Sequence, residues 1–194
     1  MRFKWILVAW WLVTGAAMAD QPVKLWKWVP DASRLEFVFT QAGSDESGEF
    51  KSFNPIFEFD PENLEASQFD VTVSLASVDT GDGDRDEILR SDDMFAVSKW
   101  PQAHFQTTSI SYKSGNQYLA DATLTIRDQT RPIPFPFTLD ISKPDANSPA
   151  VFHLKADIQL NRLDFGVGKG DWEETTWISD PVQVRVDVTA AREE

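Results

Sequence analysis

Few side chains in this 194-residue sequence are suited to covalent or metal chemistry. It has no cysteine, and its two histidines, His104 and His153, both fall on the polar side of alternating segments. Nucleophilic hydrolysis needs a nucleophile held against a base, and a zinc site needs a cluster of nitrogen or sulfur ligands. Neither arrangement is visible, so we expect a protein that is not an enzyme, with no catalytic residue, no metal and no cofactor. The acidic stretch Asp79–Glu87 places carboxylates at Asp82, Asp84 and Asp86, like the start of a calcium loop. Such a loop needs glycine at its sixth position, where Glu87 stands, and Arg85 brings a competing cation. Helix capping by Asp82 or Asp84 is the better reading, with Arg85, Asp86, Arg90 and Asp92 pinning a helix in place. Gly166-Val167-Gly168-Lys169-Gly170 lacks the glycine spacing and the hydroxyl after lysine of a phosphate loop. It reads as a turn presenting Trp172 and Trp177 near an opening.

The residues that suggest a function are apolar rings. Phe37, Phe39, Phe57, Phe59, Phe69, Phe135, Phe137 and Phe152 sit on the apolar side of successive alternating segments, with Val71, Val73, Phe105 and Leu154. Rings converging from several strands form the dry concave wall that a long apolar ligand requires. They could equally form a filled core, since an eight-stranded barrel is wide enough for its own side chains or for one slender ligand.

The elements carrying these rings are strands. Period-two alternation runs through Leu35–Thr40, Phe57–Phe59, Phe69–Leu75, Leu124–Arg127, Ile133–Leu139, Phe152–Gln159 and Val182–Val188, which implies antiparallel sheet with one wet face. Turn residues punctuate the chain at Gly43–Gly48, Asp60–Asn63, Ser114–Asn116 and Pro144–Pro149, as in a meander of hairpins. Pro134 and Pro136 lie on the outward side of one strand and cannot donate to a ladder, so that strand should be partly unpaired, bulged or at a seam. One segment, Asp84–Val97, reads as helix, with Phe95 helping to cover one end; Trp100-Pro101 stops it. About eight strands and one short helix fit a barrel or a two-sheet sandwich, and the Phe-rich inner faces favour the barrel.

The first residues read differently. Arg2 and Lys4 precede an apolar run ending in Ala17-Met18-Ala19, the pattern of a secretory signal peptide over residues 1–19, cleaved after Ala19. A retained anchor is the alternative, although the run is shorter than a bilayer span. The remaining residues, 20–194, suit one domain. Without cysteine, packing and backbone hydrogen bonds alone must stabilise it in an oxidising compartment. With 31 acidic against 18 basic residues, it would be repelled by nucleic acid and anionic membrane surfaces.

Taken together, several strings resemble the YceI-like family: Ser77-Val78-Asp79-Thr80-Gly81, Arg85-Asp86, Leu89-Arg90-Ser91, Phe95, Lys99-Trp100-Pro101 and Phe105, with Gly48–Phe53, Leu124–Arg127 and Thr130-Arg131-Pro132. The resemblance runs from about Trp28 to Val188. It implies a lipocalin-like, eight-stranded antiparallel barrel with a short helix closing one end. It also implies a periplasmic location and an elongated interior that binds a polyisoprenoid, quinone-like or fatty-acyl compound. The sequence departs from the family around Asp31-Ala32-Ser33 and at Gln41-Ala42-Gly43, where histidine is common; Gln41 can hydrogen-bond but carries no charge. The segment Phe165–Trp177 is similar to a variant sometimes joined to a membrane cytochrome of the b561 type, which makes such a cytochrome a possible partner. A monomer or a homodimer is expected. The rival reading is an interaction module, packed solid, that docks a membrane redox or stress partner.

Overall fold

The computed structural model describes residues 23–145 and 147–192; the leader read at residues 1–19 lies outside them. The chain forms β1 (Leu25–Trp28), β2 (Arg34–Gln41), β3 (Ser44–Phe50), β4 (Phe53–Glu58), β5 (Gln68–Ser74) and β6 (Val78–Asp79). After a helix, α1 (Gly83–Arg90), come β7 (Gln102–Ser114), β8 (Gln117–Ile126), β9 (Gln129–Ser142), β10 (Val151–Asn161) and β11 (Ile178–Arg192).

Eleven strands make eight staves. β1 and β2 are one stave interrupted by a 3₁₀ turn at Pro30–Ala32, and both pair with β11. β3 and β4 form the second, broken at Lys51-Ser52; β5 and β6 form the third, broken by the turn Leu75–Ser77. Strands β7 to β11 follow as unbroken hairpin neighbours, every pair antiparallel. Because β11 pairs with β10 on one edge and with β2 and β1 on the other, the meander closes into a barrel. The sandwich alternative is thereby excluded.

The stretch Gly43–Gly48, read as a turn, is mostly strand. Only Ala42 and Gly43 turn, both at positive φ, and Gly48 lies within β3. Its lack of a side chain makes room for a neighbour, since a Cβ there would meet the Phe37 ring at 2.5 Å.

The helix is shorter than its apolar spacing predicts. Asp82 caps it as expected, accepting from the Asp84 and Arg85 amides at 3.0 and 3.2 Å, but it ends at Arg90 rather than near Val97. Ser91, Asp92 and Asp93 follow, short polar residues whose side chains compete with helical backbone bonds, and Ala96 takes a positive φ of 50°. Tertiary bonds then replace helical ones: the Asp93 carbonyl accepts from the Gly168 and Lys169 amides, each at 2.9 Å. Three of the four charged residues expected to pin α1 do so, whereas Asp92 is exposed and pairs with Lys99 at 3.3 Å. Buried Asp86 accepts from the Thr80 amide and hydroxyl, both at 2.8 Å. Arg90 donates to the Ala76 and Val78 carbonyls, and Arg85 pairs with Glu46 at 3.0 Å.

At the opposite end, where β4–β5, β7–β8 and β9–β10 turn, rings pack on rings. Trp26 meets Phe152 at 5.0 Å between centroids, Phe57 meets Phe152 at 5.2 Å, Phe59 meets Tyr118 at 5.5 Å and Tyr118 meets Phe137 at 5.3 Å. Phe59 and Phe152 have no exposed surface. The Trp26 indole N–H, which would otherwise be stranded, donates to the Phe59 carbonyl at 2.8 Å.

Two outcomes follow for equilibrium urea unfolding. Phe152→Ala leaves a void in this ring cluster and should cost about 3–5 kcal/mol. Asp86→Ala strands two Thr80 donors and should cost about 1–3 kcal/mol; a loss below a few tenths would mean that α1 is not held through Asp86.

Candidate functional site

Between the ring cluster and the helix-bearing end the barrel is hollow. The cavity has a volume of about 260 Å³, near the lower end of the range of about 300–1,000 Å³ typical of small-molecule pockets. Its wall is almost wholly apolar and draws on every stave.

The inward alternation of the strands supplies this wall, and it brings most of the sequence-predicted residues together. Phe37 and Phe39 from β2, Phe57 from β4, Phe69, Val71 and Val73 from β5, Phe105 from β7, Phe135 from β9 and Leu154 from β10 all face the cavity. Phe95, from the turns after α1, and Trp172, from the β10–β11 connection, reach it from the cap end.

Four expected residues lie elsewhere. Phe59, Phe137 and Phe152 point inward but sit at the ring-packed end, behind the floor made by Phe57 and Phe69, which meet edge to face at 5.3 Å. Alternation assigns a residue to the inside of a barrel without fixing its height along the axis. Trp177 is outside altogether, 59% exposed, because the next residue, Ile178, takes the inward position at the start of β11.

Some lining residues had no signal at the sequence level. Leu124, Ile126, Ile133 and Ile158 belong to recognisable alternating strands and Met94 to the segment read as a capping helix, but Phe165 and Val167 come from an irregular connection where period-two reading does not apply.

The polar residues of the lining are Glu36 on β2 and, near the cap, Gln41, Arg85 and Arg162. Gln41 ends β2 there; Arg85 lies 5.8 Å from the Phe39 ring centroid while paired with Glu46. Arg162 is buried and acts as a clasp: its guanidinium donates to the carbonyls of Val167, Trp172, Ile178 and Ser179 at 2.7–3.1 Å. Burial pulls this guanidinium below its ordinary pKa, and the Asp180 carboxylate opposes the shift. Gly168, at a φ of 92°, must be glycine, since a Cβ would lie 2.0 Å from Arg162 Nη1. Arg127, at positive φ in the β8–β9 turn, is likewise buried, donating to the Met94 carbonyl and lying 4.9 Å from the Trp100 ring centroid. The backbone of Asp93 and Met94 is therefore tied to both the β10–β11 connection and the β8–β9 turn.

The two histidines lie on the outer face. His104 Nε2 is 2.8 Å from Asp70, and His153 Nδ1 is 3.0 Å from the Thr189 hydroxyl. No group of three or more His, Asp or Glu side chains is gathered for a metal among the described residues, and none of their helices is long and apolar enough to cross a membrane.

Comparison with known proteins agrees with this architecture. Protein YceI of Escherichia coli O157:H7 is 40% identical over 86 residues, and a UPF0312 protein of Photorhabdus laumondii is 38% identical over 86. Each alignment spans 44% of this chain and 44% of the relative, less than half of either. Among solved structures, BcnA of Burkholderia cenocepacia superposes with a TM-score of 0.78 at 26% identity, covering 84% of this chain and 99% of that one. A polyisoprenoid binding domain from Saccharophagus degradans has a TM-score of 0.66 at 16% identity, over 88% and 99% of the two chains, a likeness of fold. The family model for the YceI-like domain matches residues 26–190, nearly the whole barrel, and the chain belongs to the YceI-like family.

Proposed function

We propose that this protein binds and carries, in the periplasm after removal of its leader, a long apolar molecule of the isoprenoid, quinone or fatty-acyl type. The observation that carries the reading is the ring-walled, apolar cavity within the barrel. An apolar cavity is a poor site for water and a good one for hydrocarbon. The rival of a solid interaction module lacks this interior. The domain of the same fold from Saccharophagus degradans, a polyisoprenoid binding domain, supports the choice of ligand class.

The distribution of polar groups orients the ligand. Its tail meets Phe57 and Phe69 at the floor, and its head lies at the cap beside Gln41. The two cavity arginines have their charge engaged by Glu46 and by four carbonyls, so an uncharged head fits better than a carboxylate or phosphate.

Titration with a series of straight-chain alcohols tests the reading. Each buried methylene should contribute about 0.8 kcal/mol, or roughly fourfold in Kd, until the chain reaches the floor rings, after which affinity should level off. Phe69→Ala should move that plateau to longer chains. Phe135→Asp, which puts an unpaired charge on the wall, should abolish binding in a variant that circular dichroism finds folded. No uptake of any alcohol, together with only empty protein in native mass spectra of material from its host, would sink the proposal.

A further inference from the structure

Between β9 and β10 the barrel wall has a stretch where two neighbouring staves are not laced together. β9 pairs with β8 from Gln129 to Thr138, but its ladder with β10 runs only from Ser142 to Phe137, where it stops opposite Ala156. Beyond that point β10 continues to Asn161 bonded to β11 alone.

The sequence supplies the reason. In an antiparallel strand, alternate residues direct their backbone groups to the same neighbour. Leu139 donates to the Asn116 carbonyl on the β8 side, so odd-numbered β9 residues serve β8 and even-numbered ones face β10. Pro132, Pro134 and Pro136 are all even-numbered. Each lacks an N–H, so three successive donors are missing from one edge. Carried on in register, the carbonyls of Asp157, Gln159 and Asn161 would have faced those absent donors.

This unlaced stretch opens on the cavity. Ile133 and Phe135 on one side and Ile158 and Leu160 on the other line it. Ile133, Ile158 and Leu160 are only half-buried, whereas Phe137, Leu154 and Ala156, just below on the same strands, are buried. Rings fill the floor, and the cap is fastened through Asp93, Met94 and Arg162, although exposed Ile88 also lines the cavity at that end.

We propose that the parting between β9 and β10 is a lateral gate through which the apolar chain passes into the barrel side-on. The inference rests on the carrier reading given above. Opening this part of the wall displaces apolar side chains without breaking a two-way backbone ladder, because the prolines have removed the β9 donors. Opening any laced pair of staves would strand donors and acceptors. The gate thus concerns rate, whereas the ring floor concerns affinity.

The sequence has no cysteine, so a disulfide can be introduced cleanly. Pro134→Cys with Gln159→Cys would staple the parting from outside; Thr138→Cys with Lys155→Cys, in the laced region, is the control. With a pyrene-tagged dodecanol as probe, oxidation of the first pair should slow association at least tenfold, reversibly with reductant, and leave Kd within about threefold; the control pair should not respond. Equal rates in oxidised and reduced protein at wild-type Kd would overturn the gate while leaving the carrier reading intact. Failure of the wild-type protein to bind the probe would overturn both. A second route needs no disulfide. The triple variant Pro132→Thr, Pro134→Thr, Pro136→Thr restores the donors, and should raise amide protection at Gln159 and Asn161 towards that of Lys155 while slowing uptake. Raised protection with unchanged uptake, or unchanged protection, would equally overturn the proposal.

Discussion

Closure of the sheet along β11 is the constraint on which the molecule depends. This fifteen-residue strand pairs with β10 on one edge and with β2 and β1 on the other, so every inward side chain is confined within one wall. In an open sheet the same rings would collapse onto a second layer. In a closed eight-stranded barrel the interior has a nearly fixed width, and inward side chains are held apart by the strands that carry them. Vacancy or fullness is then decided by which residues stand at each height.

The rings are divided accordingly. Towards the end bearing the β4–β5 and β9–β10 turns, Trp26, Phe59, Tyr118, Phe137 and Phe152 touch edge to face or stacked, the arrangements aromatic quadrupoles prefer. Above Phe57 and Phe69 the rings thin out: Phe37, Phe39, Phe105 and Phe135 still line the wall, but Val71, Val73, Ala103, Leu124 and Val184 now stand among them. The change from rings to aliphatic residues along β5 alone, Phe69 to Val71 to Val73, marks the level at which core becomes cavity. A hollow forfeits dispersion contacts along its lining. With no disulfide available, the ring cluster at one end and the arginine clasps at the other must offset that loss.

Much of this was legible in sequence because period two is a strong signal where one face is wet. The inside and outside of β2, β5, β9, β10 and β11 follow from alternation, and the family resemblance supplied closure into a barrel. Height along the axis was not legible. Phe59, Phe137 and Phe152 share the facing of Phe57, Phe135 and Leu154 on their own segments, and only the register between staves separates floor from wall. The cap was the least readable part. Arg127 and Arg162 look like surface residues in sequence, yet both are buried, because their partners are backbone carbonyls that become adjacent only after the connections fold over the barrel. The helix was overextended for the same reason: beyond Arg90 the backbone bonds are tertiary, and apolar spacing cannot report them.

The prolines of β9 join these two levels of reading. Pro134 and Pro136 imply an interrupted ladder from sequence alone, and Pro132 extends the same parity by one more position. Their shared spacing matters more than their number. Prolines at mixed parity would have cut into the β8 ladder as well and detached β9 from the wall. At uniform parity they leave one edge fully bonded and strip the other, so β9 stays in the barrel while its upper half is released from β10. A closed barrel has no free edge and gives a ligand no way through its side; removing donors from one edge of one strand restores such a way locally, at the height of the cavity. The proline-bearing side of the parting cannot template a new strand, because the donors a partner's carbonyls would need are the ones that are missing.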